Sequence, residues 1–253
     1  MRPVVAIIQA RMSSTRLPGK VMREVSGKTI IGHVVSRLKA ATLIDTVAVA
    51  TTTERSDDII ERWCAENGVP VYRGSLNDVL DRYYQAALRF SAKTVVRITS
   101  DCPLIDPELV DRIVAKYSEG GYDHVSVGPA YPDGLDAEVF SLDALTKAYS
   151  DARLASEREH VTPYIWKNPA VFRLSYITSE KDLSKHRWTV DDERDLTLIT
   201  KIYEGLGTEL FHMADVLKFL EKNPGLSEIN SMTMRNEGYA KSLKQDRVVE
   251  KAF

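Results

Sequence analysis

The chain of 253 residues carries 34 basic and 36 acidic side chains, and 43% of its residues are hydrophobic. These values are ordinary for a globular protein and exclude a disordered chain. A protein that binds duplex DNA usually has a basic surplus, so the near-neutral balance argues against a nucleic-acid partner. No stretch is long and apolar enough to span a membrane, and Cys64 and Cys102 lack metal-like spacing. We therefore expect a cytoplasmic protein with reduced thiols and no membrane partner.

A short apolar run at residues 4–8 predicts the first β-strand, and a loop at residues 9–20 follows it directly. The loop carries three cations, Arg11, Arg16 and Lys20, together with three hydroxyl side chains at residues 13–15. Ligands of open α/β sheets bind where the strands end, and polyphosphates need charge-assisted donors. The loop matches neither the Walker A nor the G-x-G-x-x-G pattern. It predicts a phosphate site of another kind, with a solvated basic loop as the alternative.

The first half of the chain alternates between short apolar runs and segments with helical periodicity, which predicts βαβ units and a mostly parallel sheet. The predicted strands are residues 46–50, 69–72 and 94–98, and the predicted helices are residues 29–41, 57–67 and a segment capped by Asn77 or Asp78. Further on, strands are predicted at 123–127, 137–140 and 171–177, and helices at 107–119, 142–151, 157–167, 192–206 and 215–222. Residues 235–253 form a charged tail, predicted to be helical with too few apolar residues for a core role. We expect one domain over residues 1–253.

Three acidic segments are candidates for a magnesium site, since Mg²⁺ prefers one or two carboxylates together with phosphate oxygens. Asp101 follows the fourth predicted strand and therefore shares the edge of the first loop. Asp136 and Glu138 alternate along a predicted strand and face one side. Asp191 and Asp192 precede a helix. The alternatives are a turn or cap role for Asp101, a solvated face for the second pair, and interaction with the helix dipole for the third.

Residues 7–20 resemble the opening signature of the spore-coat polysaccharide biosynthesis protein F family. That family belongs with the sugar-acid cytidylyltransferases, which activate sialic acid and 3-deoxy-manno-octulosonate, and the resemblance covers roughly the first two hundred residues. It implies a three-layer α/β/α fold of the nucleotide-diphospho-sugar transferase (glycosyltransferase-A-like) type. It also implies a homodimer.

The resemblance assigns a role to each candidate residue. The expected nucleotide-binding residues are Gln9, Ala10, Arg11, Ser14, Arg16 and Lys20, with base contacts from Arg73 or Arg82. Asp101 and Asp191 are expected to hold Mg²⁺, and the expected catalytic residues are Arg11, Lys20, Asp101 and Asp191. The acceptor side is expected to include Asp136, Glu138, His160 and Arg187, where His160 is alternatively a helical histidine with a satisfied partner.

The reaction implied by the resemblance is nucleotidyl transfer from CTP to a sugar, sugar acid or sugar phosphate for surface polysaccharide biosynthesis, with release of pyrophosphate. Two alternatives stay open. One is a glycosyltransferase of the same fold that uses residues 136–138 as an Asp-x-Asp-like metal motif. The other is a catalytically silent module that binds a nucleotide.

Overall fold

The computed structural model describes residues 2–233 and 235–249. Within these ranges the strands are β1 Val4–Gln9, β2 Glu24–Val25, β3 Lys28–Thr29, β4 Thr46–Thr52, β5 Val71–Gly74, β6 Thr94–Thr99, β7 His124–Val127, β8 Glu138–Ser141 and β9 Leu174–Ile177. The helices are α1 Ile30–Lys39, α2 Asp58–Glu66, α3 Val79–Arg89, α4 Pro107–Ser118, α5 Leu142–Asp151, α6 Ala155–His160, α7 Pro163–Trp166, α8 Glu193–Leu206, α9 Met213–Lys222 and α10 Glu237–Lys244.

The central sheet has the strand order β5-β4-β1-β6-β8-β7-β9. Strand β1 is parallel to both β4 and β6, and β8 alone is antiparallel to its two neighbours. The last residue of β1, Gln9, pairs with Ala50 on one side and with Thr99 on the other. The chain therefore leaves β1 and β6 at the same edge of the sheet, which brings the opening loop beside the segment that carries Asp101.

Two apolar cores lie on the two faces of the sheet, and β1 contributes to both. Val4, Ala6 and Ile8 pack with α1, α2, α4, α8 and α9, whereas Val5 and Ile7 pack with α3 and α5. This alternation is what the two-residue period of a strand requires. Each fully buried Val or Ile contributes roughly 1.5–3 kcal/mol. The predicted three-layer α/β/α fold with a mostly parallel sheet is confirmed.

Two local predictions need correction, and one hairpin was missed. The helix predicted at residues 157–167 is two short helices, α6 and α7, because Val161 between them has φ 72° and Pro163 starts a new helix. The strand predicted from residue 171 starts only at Leu174. The β2–β3 hairpin was not predicted, since strands of two residues are too short to show periodicity.

The charged tail has no buried residue in its helix α10, as its sparse apolar residues predicted. Its last four residues, 250–253, lie outside the described ranges. None of the helices in the described part of the chain combines the length and apolar character that crossing a bilayer requires.

Gly134 allows the backbones of two segments that are distant in sequence to pack closely together. The backbone N–H of Asp133 donates to the carbonyl of His186 at 3.0 Å, and the N–H of Trp188 donates back to Asp133 at 2.6 Å. Gly134 has φ 99°, and a β-carbon there would lie 2.5 Å from the backbone nitrogen of Thr189. This close approach places the segment that leads to Asp191.

We expect Gly134→Ala to lower the free energy of unfolding by about 2 kcal/mol or more, because the new methyl group meets rigid backbone and φ is positive. Gly120→Ala is the matched control, since Gly120 has φ 90° but open space around it. The control variant loses only the conformational term, about 1 kcal/mol. Urea unfolding of the two variants measures the difference. Equal losses would show that the backbone contact at Gly134 is unimportant.

Candidate functional site

A cleft of about 760 Å³ lies at the edge where β1 and β6 end. The six residues of the opening loop predicted to bind a nucleotide, Gln9, Ala10, Arg11, Ser14, Arg16 and Lys20, all line it. Asp101, Asp191, Arg82 and His160 line it as well. The structure therefore brings most of the predicted site residues to one cavity.

The opening loop is fixed by a buried carboxylate that sequence analysis did not identify. Asp57 is 1% exposed and accepts a hydrogen bond from the backbone N–H of Met12 at 2.8 Å. The hydroxyls of Thr51 and Thr52 donate to the other oxygen of Asp57. Gly19 closes the loop by donating its N–H to the carbonyl of Met12. In the sequence, Asp57 resembles any residue at a helix start, so no pattern marks this role.

Lys20 joins the two aspartates predicted to hold a metal. Its ammonium donates to Asp101 Oδ2 at 2.7 Å, to Asp191 Oδ1 at 2.8 Å and to the carbonyl of Val190 at 2.8 Å. Burial lowers the pKa of Lys20, but the charges of Asp101 and Asp191 outweigh burial and the net shift is upward. Two carboxylates that are 90 residues apart in sequence thus share one cation.

Arg187 holds Asp191 from the side away from the cleft. Its buried guanidinium donates to Asp133 at 2.6 Å, to Asp191 at 2.7 Å and to both oxygens of Asp195. Burial raises the pKa of Asp191, but Lys20, Arg16 and Arg187 together lower it to about 2. Arg187 is not among the residues that line the cleft. These contacts hold the Asp191 carboxylate in position.

Asp192 forms the N-cap of α8 by accepting from the backbone N–H groups of Arg194 and Asp195. This contact satisfies backbone donors at the start of the helix. Of the two adjacent aspartates, only Asp191 reaches the cleft.

The two acids of residues 136–138 contact different cations. Glu138 pairs with Arg97 at 2.7 Å and with His124 at 3.0 Å, whereas Asp136 pairs with Arg235 at 2.6 Å. Burial raises the pKa of Glu138, but Arg97 and His124 together bring it down to about 2. Neither acid lines the cleft. The pair therefore lacks the common open face that a shared metal motif needs.

The two arginines expected near the base differ in position. Arg73 binds Asp58 at 2.7 Å and Glu61 at 2.6 Å, and it does not line the cleft. Arg82 lines the cleft, is 1% exposed and donates to the carbonyl of Ser75 at 2.9 Å. Its Nε has no partner among the described residues. Burial lowers the pKa of Arg82, and the nearby charge of Arg11 adds to this effect.

The charged tail lies across the cleft, which no sequence pattern indicated. Glu237 pairs with Arg16 at 2.8 Å, and Ser242 bonds with His160 at 3.0 Å. The ring of Tyr239 packs edge-on against His160, with centroids 5.0 Å apart. His160 thus has satisfied partners while it lines the cleft, and burial lowers its pKa. Polar contacts and the aromatic packing of Tyr239 hold the tail in place.

The fold is the nucleotide-sugar transferase fold that solved nucleotidyltransferase structures share. The family model described as "Cytidylyltransferase" matches residues 5–251. The chain belongs to the cytidylyltransferase family and is an enzyme of that class. The resemblance carried by the opening signature is thereby confirmed.

The family assignment agrees with individual comparisons. The chain is 37% identical to uncharacterized protein MJ1063 of Methanocaldococcus jannaschii, over 93% of this chain and 97% of that protein. It is 31% identical to spore coat polysaccharide biosynthesis protein SpsF of Bacillus subtilis, over 88% and 96%. The solved structure of a cytidylyltransferase from Leptospira borgpetersenii superposes with a TM-score of 0.85 at 36% identity, over 92% of this chain and 99% of that one.

The partly buried Glu138 and its ion pairs predict an acid-dependent loss of stability. The folded-state pKa of Glu138 lies below its ordinary value of 4.5, so its stabilisation is complete above about pH 5 and is lost as the pH falls toward 2. We expect Glu138→Gln to lower the free energy of unfolding at neutral pH by about 3 kcal/mol or more. The difference from wild type should shrink as the pH falls from about 5 toward 2.

Urea unfolding at a series of pH values measures this difference. Glu204→Gln is the control, because Glu204 is half exposed and its pair with Lys201 is worth little. A Glu138→Gln difference that stays constant with pH would contradict an ionised Glu138 in the folded protein.

Proposed function

We propose that the protein transfers the cytidylyl group of CTP to an oxygen of a sugar, sugar acid or sugar phosphate and releases pyrophosphate. The observation that carries this proposal is the Lys20 ammonium bound by Asp101 and Asp191 beside a cationic loop. The family assignment supports CTP as the nucleotide, and the relative named for spore coat polysaccharide biosynthesis supports a role in making surface polysaccharide. A homodimer stays a prediction.

The opening loop supplies the charge that a triphosphate needs. Arg11 forms no ion pair with any described residue, so its guanidinium is available for phosphate oxygens. Arg16 lines the same cleft and divides its contacts between Asp191 at 3.0 Å and Glu237. Fixed cations around phosphate oxygens stabilise the charge that moves to the leaving pyrophosphate. We assign that work to Arg11, Arg16 and Lys20, with Gln9, Ala10 and Ser14 lining the same cavity.

Asp101 and Asp191 fit a divalent cation. Their oxygens and the carbonyl of Val190 converge on one position, which the Lys20 ammonium occupies. An oxygen-only set with two carboxylates is what Mg²⁺ prefers. When bound, Mg²⁺ supplies charge neutralisation at the α-phosphate. Lys20 neutralises the two carboxylates by itself and, once relieved of that role, can donate to phosphate oxygens.

The acceptor side of the cleft includes His160. Burial lowers its pKa and so favours the neutral ring, which can accept a hydrogen bond or a proton from an acceptor hydroxyl. Asp136, Glu138 and Arg187 are engaged in ion pairs and do not line the cleft. We therefore propose that these three position the walls of the acceptor site, and that His160 contacts the acceptor.

We expect Lys20→Ala to lower the rate of pyrophosphate release by about tenfold or more, since a charge-assisted hydrogen bond contributes roughly 1.5–3 kcal/mol. Asp101→Asn should have an effect at least as large. Release is measured with CTP, Mg²⁺ and a panel of acceptors, and Lys39→Ala, an exposed lysine on α1, is the control. A Lys20→Ala effect below about twofold would remove Lys20 from transition-state stabilisation.

The same assay separates the alternatives. A glycosyltransferase would release nucleoside diphosphate from a nucleotide sugar and no pyrophosphate from CTP. A silent module would show a thermal shift with CTP but no turnover with any acceptor. Either outcome would overturn the proposed transfer reaction.

A further inference from the structure

The cleft holds more positive charge than its own acids balance. Its lining residues include seven cationic side chains, Arg11, Arg16, Lys20, Arg82, Arg235, Lys241 and Lys244, against four acids, Asp101, Glu159, Asp191 and Glu237. Each of these acids already accepts a contact, from Lys20, Arg16 or Ser242. The cleft is thus electrostatically suited to an anion, and the surplus does not come from the opening loop alone.

Two of the cationic side chains that line the cleft, Lys241 and Lys244, belong to the tail helix α10. Lys241 and Lys244 are exposed, line the cleft and form no ion pair within the part of the chain that the structure describes. They are three residues apart in α10 and therefore lie on one helix face. Lysines without an acidic partner, set in a concave cationic site, are suited to bind an anionic group.

The position of α10 separates these lysines from the triphosphate loop. Glu237, at the start of the helix, contacts Arg16 of that loop. With a rise of 1.5 Å per residue, Lys241 and Lys244 lie about 6 and 10 Å further along the helix axis. The tail also contacts His160 through Ser242, and His160 is the residue that we assigned to the acceptor. The lysines therefore lie over the acceptor side of the cleft.

We propose that Lys241 and Lys244 bind an anionic group of the acceptor, a carboxylate or a phosphate, so that the C-terminal tail sets acceptor specificity. This inference rests on the proposed transfer reaction. It makes the tail a part of the binding site, whereas sequence alone suggested only a charged surface helix. The buried Arg82, whose Nε lacks a partner among the described residues, marks the same cavity as a site for anions.

The first test measures binding without turnover. The full-length protein is saturated with the α,β-methylene analogue of CTP and Mg²⁺, and lysine acetylation is followed by mass spectrometry. The probes are 3-deoxy-manno-octulosonate for the carboxylate, glucose 1-phosphate for the phosphate and glucose as the neutral control. We expect at least one acidic probe to slow acetylation of both Lys241 and Lys244 by about threefold or more. Lys218 and Lys222 on α9 should be unaffected, and glucose should protect neither pair.

The second test separates acceptor binding from nucleotide binding. With an acidic probe that is turned over, Lys241→Glu/Lys244→Glu should raise the KM of the acceptor by about tenfold or more and change the KM of CTP by less than about twofold. Lys218→Glu/Lys222→Glu is the matched control, and it should change neither KM. Thermal unfolding of both double variants verifies that they fold.

Several outcomes would overturn the tail proposal. These are protection by no acidic probe, an unchanged acceptor KM, or an equal rise in the KM of CTP, which would place the lysines at the triphosphate. Absence of pyrophosphate release from wild type with every acceptor would instead remove the proposed function. The acetylation result is independent of turnover, so the two failures are distinguishable.

Discussion

The buried ammonium of Lys20 is the contact on which the site depends. Burying a charge is costly unless it is paired, and Lys20 is paired twice, with Asp101 and Asp191. Without Lys20, the carboxylates of Asp101 and Asp191 would repel each other with no cation shared between them. Arg187 adds a second support by holding Asp191 from behind, and Asp195 and Asp133 in turn hold Arg187. The site is therefore one continuous network of ion pairs, centred on Lys20.

The fold brings the members of this network together by simple means. Strands β1 and β6 are adjacent and end in register, so the opening loop and Asp101 leave the sheet at the same place. Asp191 arrives from a segment that has no strand partner in the sheet. It is placed by backbone contact with the loop at Gly134 and by the N–H of Val190, which donates to the carbonyl of Asp101 at 2.8 Å. The register of β1 and β6 thus positions the opening loop and Asp101. The close backbone contact at Gly134 positions Asp191.

The sequence predicted those parts of the structure that depend on local periodicity and local charge. The strand at residues 4–8, the cationic loop after it and the acids after later strands all have a local signature, and the sheet edge brings them together. The helices were also predicted, because each packs one face against the sheet and therefore shows apolar residues at helical spacing. The break at Val161 was missed because a positive φ at a buried valine depends on tertiary packing and leaves no trace in periodicity.

Side-chain partners could not be predicted in the same way. Arg73 was expected at the base and Arg187 at the acceptor, yet acidic side chains bind both of them. For Asp57 and the tail, no sequence motif indicated a role at the site, yet the structure shows that both contact segments that line the cleft. Ion pairs between distant segments depend on where the backbone goes, and charge in the sequence does not identify the partner. The sequence therefore predicted which segments form the cleft better than it predicted how their side chains pair.

The central claim is that Asp101 and Asp191 form one cation site, which Lys20 contacts in the free protein. Electron paramagnetic resonance of Mn²⁺ added with CTP measures this site directly. The account predicts that wild type binds Mn²⁺, and that Asp101→Asn and Asp191→Asn each weaken binding by about tenfold or more, while Asp192→Asn does not. Equal Mn²⁺ affinity in wild type and in both site variants would contradict it.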